Sequence, residues 1–110
     1  MATTISFEVK NYAVSLFSGA NLRFNQRIML YGGEGGDAVA YFYEEGVNMP
    51  PPTGPDPATG NMIRLSYRSN RFGSVLDLLR NEKPIYVFYD EGGNYGAIGT
   101  TVEEIGEEES

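Results

Sequence analysis

Five short stretches in the first two thirds of this chain place apolar residues at every second position, and turn-forming residues separate most of them. A period of two is the mark of a strand with one buried face, so this pattern constrains the fold more than any other feature. In Thr4–Lys10, Ile5, Phe7 and Val9 alternate with Ser6, Glu8 and Lys10. Asn11 starts a turn, and Tyr12, Val14 and Leu16 then alternate with Ala13, Ser15 and Phe17 over a second strand, 12–17. Leu22, Phe24, Ile28 and Leu30 share one parity in a third, where Gln26 interrupts the apolar face and marks a bulge or a strand start.

Gly32-Gly-Glu-Gly-Gly-Asp37 cannot continue a strand, because four glycines release the backbone to positive φ, which suits a hairpin loop. The segment 38–45 follows as a strand with Val39, Tyr41 and Tyr43 on one face and Ala38, Ala40 and Phe42 on the other. Residues 46–61 hold five of the six prolines, which excludes a helix or a central strand there. So long a stretch without regular structure points to a loop with a task of its own. Alternation resumes in 62–68, where Ile63, Leu65 and Tyr67 face inward and Arg64, Ser66 and Arg68 outward.

A single segment keeps helical spacing. Phe72, Val75, Leu76 and Leu79 form one stripe, which predicts a short helix over about 70–82, capped by Ser69 or Asn70 and ended by Pro84. Residues 84–89 and 95–102 then read as a second hairpin around Asp90-Glu-Gly-Gly-Asn94. The expected fold is mainly β: a compact antiparallel β-sandwich or barrel-like sheet of about seven strands with one short helix. Its organisation is one β-rich domain over 1–104, carrying the Pro-rich loop 46–61, and an acidic flexible tail at 105–110.

Composition narrows the chemistry. The 110 residues contain no His, Cys or Trp, which removes Ser-His-Asp and Cys-His machinery, disulfides and thiolate or His-containing zinc sites. No apolar run approaches the roughly 20 residues of a membrane span, and the opening residues lack a secretory pattern. The expectation is a soluble, cytoplasmic protein. A net charge of −7 argues against direct nucleic-acid binding, since phosphate affinity rests on Lys and Arg. Five of the acids, Glu103, Glu104, Glu107, Glu108 and Glu109, sit at the C-terminal end, and the rest of the chain carries only −2.

Eight tyrosines and six phenylalanines supply the strongest binding signal. Tyrosine gives a large contact area at low entropic cost and is enriched at interfaces. Tyr41, Tyr43, Tyr67, Tyr86, Tyr89 and Tyr95 are the candidate partner-binding residues. With no catalytic set assembled, the sequence points to a non-enzymatic interaction module. It would act through a Tyr-rich β surface and the Pro-rich loop, with a protein as partner. Self-association is a further expectation, through an aromatic edge strand such as 38–45 or 84–89. Arg64, Arg68 and Arg71 suggest an anion site near the helix start.

Gly32-Gly-Glu-Gly-Gly-Asp-Ala-Val-Ala40 matches the pattern G-G-x-G-x-D-x-U-x at each fixed position. Over these nine residues the chain resembles the repeats of repeats-in-toxin proteins. That resemblance implies calcium held by oxygen ligands, with Glu34, Asp37 and Asp90 as the ligands here. A calcium- or carbohydrate-binding β domain is therefore the alternative reading. An acidic inhibitor or DNA mimic is a further alternative, resting on the surplus of acids.

Overall fold

The computed structural model describes residues 4–55 and 60–100. Their order is β1 (Thr4–Glu8), β2 (Asn11–Leu16), β3 (Phe24–Tyr31), β4 (Asp37–Tyr43), β5 (Ile63–Arg68), α1 (Phe72–Asn81), β6 (Tyr86–Asp90) and β7 (Tyr95–Gly99). The expected mainly β architecture is present, in two sheets. A three-stranded sheet runs β1-β6-β7 and a four-stranded sheet runs β2-β3-β4-β5. One apolar cluster joins their inner faces: Phe7, Val87 and Tyr89 from the smaller sheet, and Ile28, Leu30, Ala38, Ala40, Phe42, Ile63 and Leu65 from the larger. The arrangement is sandwich-like and does not close into a barrel.

The chain changes sheets between β1 and β2. Val9 N donates to Ile85 O within the smaller sheet's side, and Lys10 N donates to Tyr31 O of the larger one, at 2.8 and 2.7 Å. The period-two pattern runs on through Val9 and Lys10, so alternation alone places Thr4–Lys10 in one strand where the structure ends it at Glu8. Asn11, expected to start a turn, already opens β2 opposite Tyr31.

All pairs are antiparallel except β4 and β5, which run parallel from Ala38↔Ile63 to Tyr43↔Arg68. This departs from a purely antiparallel sandwich. Residues 44–62 are too long and too rich in proline for a hairpin, so they carry the chain back to the other end of the sheet, as a parallel pair requires. The loop also closes the β5 edge. Thr53 exchanges both backbone hydrogen bonds with Arg64, at 3.0 and 2.9 Å. Gly54 then lies against Tyr89 of the smaller sheet, where a Cβ would come within 2.8 Å of the ring.

The helix supplies Phe72, Val75 and Leu79 to the same core, with the Phe72 and Phe42 rings edge to face at 5.1 Å. Ser69 and Asn70 do not cap it. They form a 3₁₀ turn, Ser69–Arg71, that winds straight into α1, and no side chain bonds the helix start. Because the chain leaves β5 already turning, Ser69 contributes its backbone carbonyl to Phe72 N instead.

β4 and β6 are the middle strands of their sheets, so neither 38–45 nor 84–89 is an edge. Both segments are nearly continuous runs of β-formers, and such runs are buried on two sides more often than exposed at a margin. The acidic tail expected at 105–110 lies outside the described residues. No helix among the described residues is long and apolar enough to cross a membrane.

The glycine-rich hairpin loop has a packing role. Gly33–Gly35 form a single 3₁₀ turn, and Gly32 N closes it on Gly36 O at 2.8 Å. A Cβ on Gly32 would collide with the Phe7 ring and stand 2.7 Å from Gly36 O, while Gly36 has φ +129, a region closed to L side chains. Phe7 can seat there only because the turn has no side chains on that side. Gly32→Ala is therefore expected to destabilise the fold by about 1–3 kcal/mol, the usual cost of overpacking. The urea unfolding midpoint measures it, and an unchanged midpoint would refute the role given to this glycine.

Candidate functional site

The outer face of the four-stranded sheet carries an aromatic cluster that period-two reading does not reveal. The pairing of β3 with β4 slips between Phe24 and Gln26: Gln26 faces Phe42, but Phe24 faces Tyr43. The extra residue, Asn25, turns Phe24 from the inner face, where its parity with Ile28 and Leu30 placed it, to the outer one. The irregularity expected near Gln26 is thus present, and its consequence is a change of face. Asn25 Nδ2 donates to Glu44 Oε1 at 3.0 Å, tying the bulge to the end of β4. Asn25 Oδ1, Gln26 Oε1 and Arg27 Nε are buried there without a hydrogen-bond partner among the described residues.

Phe24 becomes the centre of the cluster. Its ring lies 4.5 Å from Tyr41 and 5.9 Å from Tyr43, and Phe17 meets it edge to face at 5.7 Å. Two guanidinium groups stack on the rim. Arg27 sits 5.1 Å over Phe17 and Arg64 sits 5.3 Å over Tyr41. Such stacking leaves the N–H fork of an arginine available for planar anions while its flat face is covered.

The Pro-rich loop supplies the wall. Arg23 Nη2 donates to Asn48 O at 3.0 Å, and Arg68 Nη1 donates to Glu44 O and Val47 O at 2.8 and 2.7 Å. These bonds hold the loop's first half beside the sheet, and Pro50 and Pro51 come to stand over the aromatic floor. Together they enclose a recess of about 300 Å³ lined by Arg23, Phe24, Tyr41, Tyr43, Pro50, Pro51, Thr53, Arg64 and Ser66. No carboxylate lines it among the described residues. Among the described residues, the one ion pair is Lys10 with Glu8, so neither Arg23 nor Arg64 is neutralised by an acid there.

The six candidate tyrosines do not share one surface. Tyr41 and Tyr43 belong to the recess. Tyr67 and Tyr89 face the interior: Tyr67 stacks on Phe42 at 5.6 Å, and Tyr89 is 7% exposed with its hydroxyl donating to Asn94 Oδ1 at 3.0 Å. Tyr86 pairs with Phe88, 6.1 Å away, on the outer face of the smaller sheet, where register also places Tyr95, 57% exposed. The residues missed from sequence are Phe24 and Arg23. Their signal was the polar Gln26 on an apolar face, read together with the extra residue it implies.

The three arginines near the helix start do not converge. Arg64 and Arg68 lie on the outer sheet face, one on Tyr41 and one on the loop carbonyls, whereas Arg71 borders a separate hollow with Tyr67, Leu78 and Ile98. Of the expected calcium ligands, Glu34 sits in the 3₁₀ turn, Asp37 opens β4 opposite Tyr31, and Asp90 ends β6 between Thr4 and Tyr95. Among the described residues no three acids stand close enough together to hold a metal ion. Comparisons with protein-family models, curated proteins and solved structures find no match to this chain.

Burial pushes the Tyr67 phenol above its usual range, and a backbone hydrogen bond from Ile98 acts the other way without cancelling it. Because the folded value is the higher one, stability from this group is intact below pH 10 and is lost as pH rises through the folded value. Tyr67→Phe is expected to remove that alkaline loss. Thermal midpoints of both proteins between pH 9 and about 11.5 would test it; identical slopes would contradict the assignment.

Proposed function

We propose that this chain is a non-enzymatic binding module that takes a protein partner on the outer face of β3–β4–β5. The observation that carries this reading is the recess of Phe24, Tyr41 and Tyr43 between Arg23, Arg64 and the prolines. Aromatic side chains and arginine are the groups that dominate binding energy at protein interfaces, particularly where a wall keeps water from them. The recess offers ring faces, guanidinium donors and the Ser66 and Thr53 hydroxyls. Among the described residues its lining assembles no base, acid or activated nucleophile, which supports a role in contact and hydrogen bonding. Its size suits one or two side chains from a partner, set into a larger and flatter contact.

Charge sharpens the preference. The chain carries −7, yet the arginines of this face make no ion pair with an acid among the described residues. A partner segment combining a carboxylate with a ring or proline side chain matches both features. The loop takes part directly, since Pro50 and Pro51 form one wall.

Affinity capture from the native extract with the immobilised full chain provides the test. A protein held by the wild type is expected to be lost, or weakened about tenfold or more, with Tyr41→Ala and with Arg64→Ala. Glu34→Gln, on the far turn, should retain it. Thermal midpoints confirm that each variant is folded. A partner retained equally by Tyr41→Ala and Arg64→Ala would overturn this reading.

A further inference from the structure

The strand least covered in this fold is β2, and it lies at a sheet edge. Tyr12, Val14 and Leu16 are 37, 40 and 71% exposed, although they share a face with core residues. Their register partners are Leu30, Ile28 and Gln26, and the first two of these are fully buried. The buried inner face therefore stops at β3, and the apolar row of β2 continues past it into solvent.

Two properties of this edge set it apart. Free edges are ordinarily blunted by charge, proline or a bulge, because they offer unpaired N–H and C=O groups to another chain. Here the twelve residues Asn11–Leu22 contain neither a charge nor a proline. The edge groups also fall in a usable order. Phe17 N donates to Asn25 O at 2.8 Å, which assigns the odd residues of β2 to the β3 ladder. Alternation then leaves the N–H and C=O groups of Tyr12, Val14 and Leu16 on the free side, where those same three side chains are exposed.

We propose that β2 pairs antiparallel with β2 of a second copy, about a two-fold axis through Val14, extending the four-stranded sheet into one of eight strands. In this register Val14 opposes the partner's Val14, and Tyr12 opposes the partner's Leu16. The three pairs exchange six backbone hydrogen bonds, and each exposed apolar side chain covers another. The match is self-complementary, as a two-fold contact must be. The self-complementary register is what points to a second copy as the occupant. Net charges of −7 oppose the approach of two copies, but this uncharged edge adds no contact between like charges. The area is modest. A six-residue strand is about 20 Å long and buries on the order of 400 Å² per copy, about half of a standard interface. The dimer is accordingly weak and reversible. This inference is independent of the recess, which lies on the opposite face of the sheet.

Sedimentation velocity of the full chain from about 5 to 500 µM reads the association directly. The 12.1 kDa monomer should convert to a species of twice that mass as concentration rises. Val14→Lys, which places two charges on the axis, should weaken association at least tenfold without lowering the thermal midpoint, whereas Tyr95→Lys on the β7 edge should leave it unchanged. Since the chain has no cysteine, Val14→Cys provides a register probe: it should form a disulfide-linked dimer under mild oxidation much faster than Ala13→Cys. A monomer throughout the range overturns the proposal. So does association that survives Val14→Lys, or that is lost with Tyr95→Lys instead.

Discussion

The seating of Phe7 on the glycine turn is the contact on which the rest of the arrangement depends. Phe7 belongs to the smaller sheet, and the turn at 32–36 closes the β3–β4 hairpin of the larger one. With the ring against Gly32, Gly35 and Gly36, the end of one sheet is fixed on the other, and Val87 and Tyr89 fall over Ile28, Ala40 and Leu65 in one core. Glycine is costly in the unfolded chain because of the freedom it loses on folding. Here that cost is offset by an aromatic ring buried where any Cβ would exclude it.

Placing the smaller sheet in this position has two consequences. Its three strands cover only part of the larger sheet's inner face, so β2 projects beyond the core with its apolar row uncovered. Among the described residues no second layer of secondary structure covers the outer face of the larger sheet, and the Pro-rich loop borders it. That loop touches three places in turn: the outer face through Asn48 and Val47, the β5 edge through Thr53, and Tyr89 through Gly54. It links the two sheets at the β5 side much as the Val9–Lys10 crossing links them at β1 and β2.

The aromatic residues divide between these settings. Phe42, Tyr67, Phe72 and Tyr89 fill the interior, whereas Phe17, Phe24 and Tyr41 gather outside, with guanidinium groups stacked on two of the rings. Arginine stacked on an exposed ring shields apolar surface from water while keeping its donors available, so an aromatic patch can persist on a monomer's surface. The β2 row has no such shield. The two exposed apolar surfaces thus call for different partners, one with an anionic and apolar segment, the other with an identical uncharged strand.

Local chemistry made much of this fold legible. Period-two alternation located the first five strands, and a run of β-formers followed by a glycine-rich turn located the last two. The i, i+3, i+4, i+7 stripe located α1, and glycine and proline clusters located the turns, because each signal arises within a few residues of backbone and side-chain geometry. The parallel pairing of β4 with β5, the central positions of β4 and β6, and the separation of the six tyrosines into three groups depend on which strands become neighbours, and strand order is settled by burial across the whole core. Phe24 is the sharpest case. Its sequence parity assigns it to the interior, and only the pairing of β3 with β4, one residue out of step at Asn25, brings it outside to Tyr41 and Tyr43. The sequence by itself therefore determined the elements and the alternation of their apolar faces; the tertiary structure decided which of those faces and edges were buried and which were left over, because a face is free only when no other part of the chain has been packed against it.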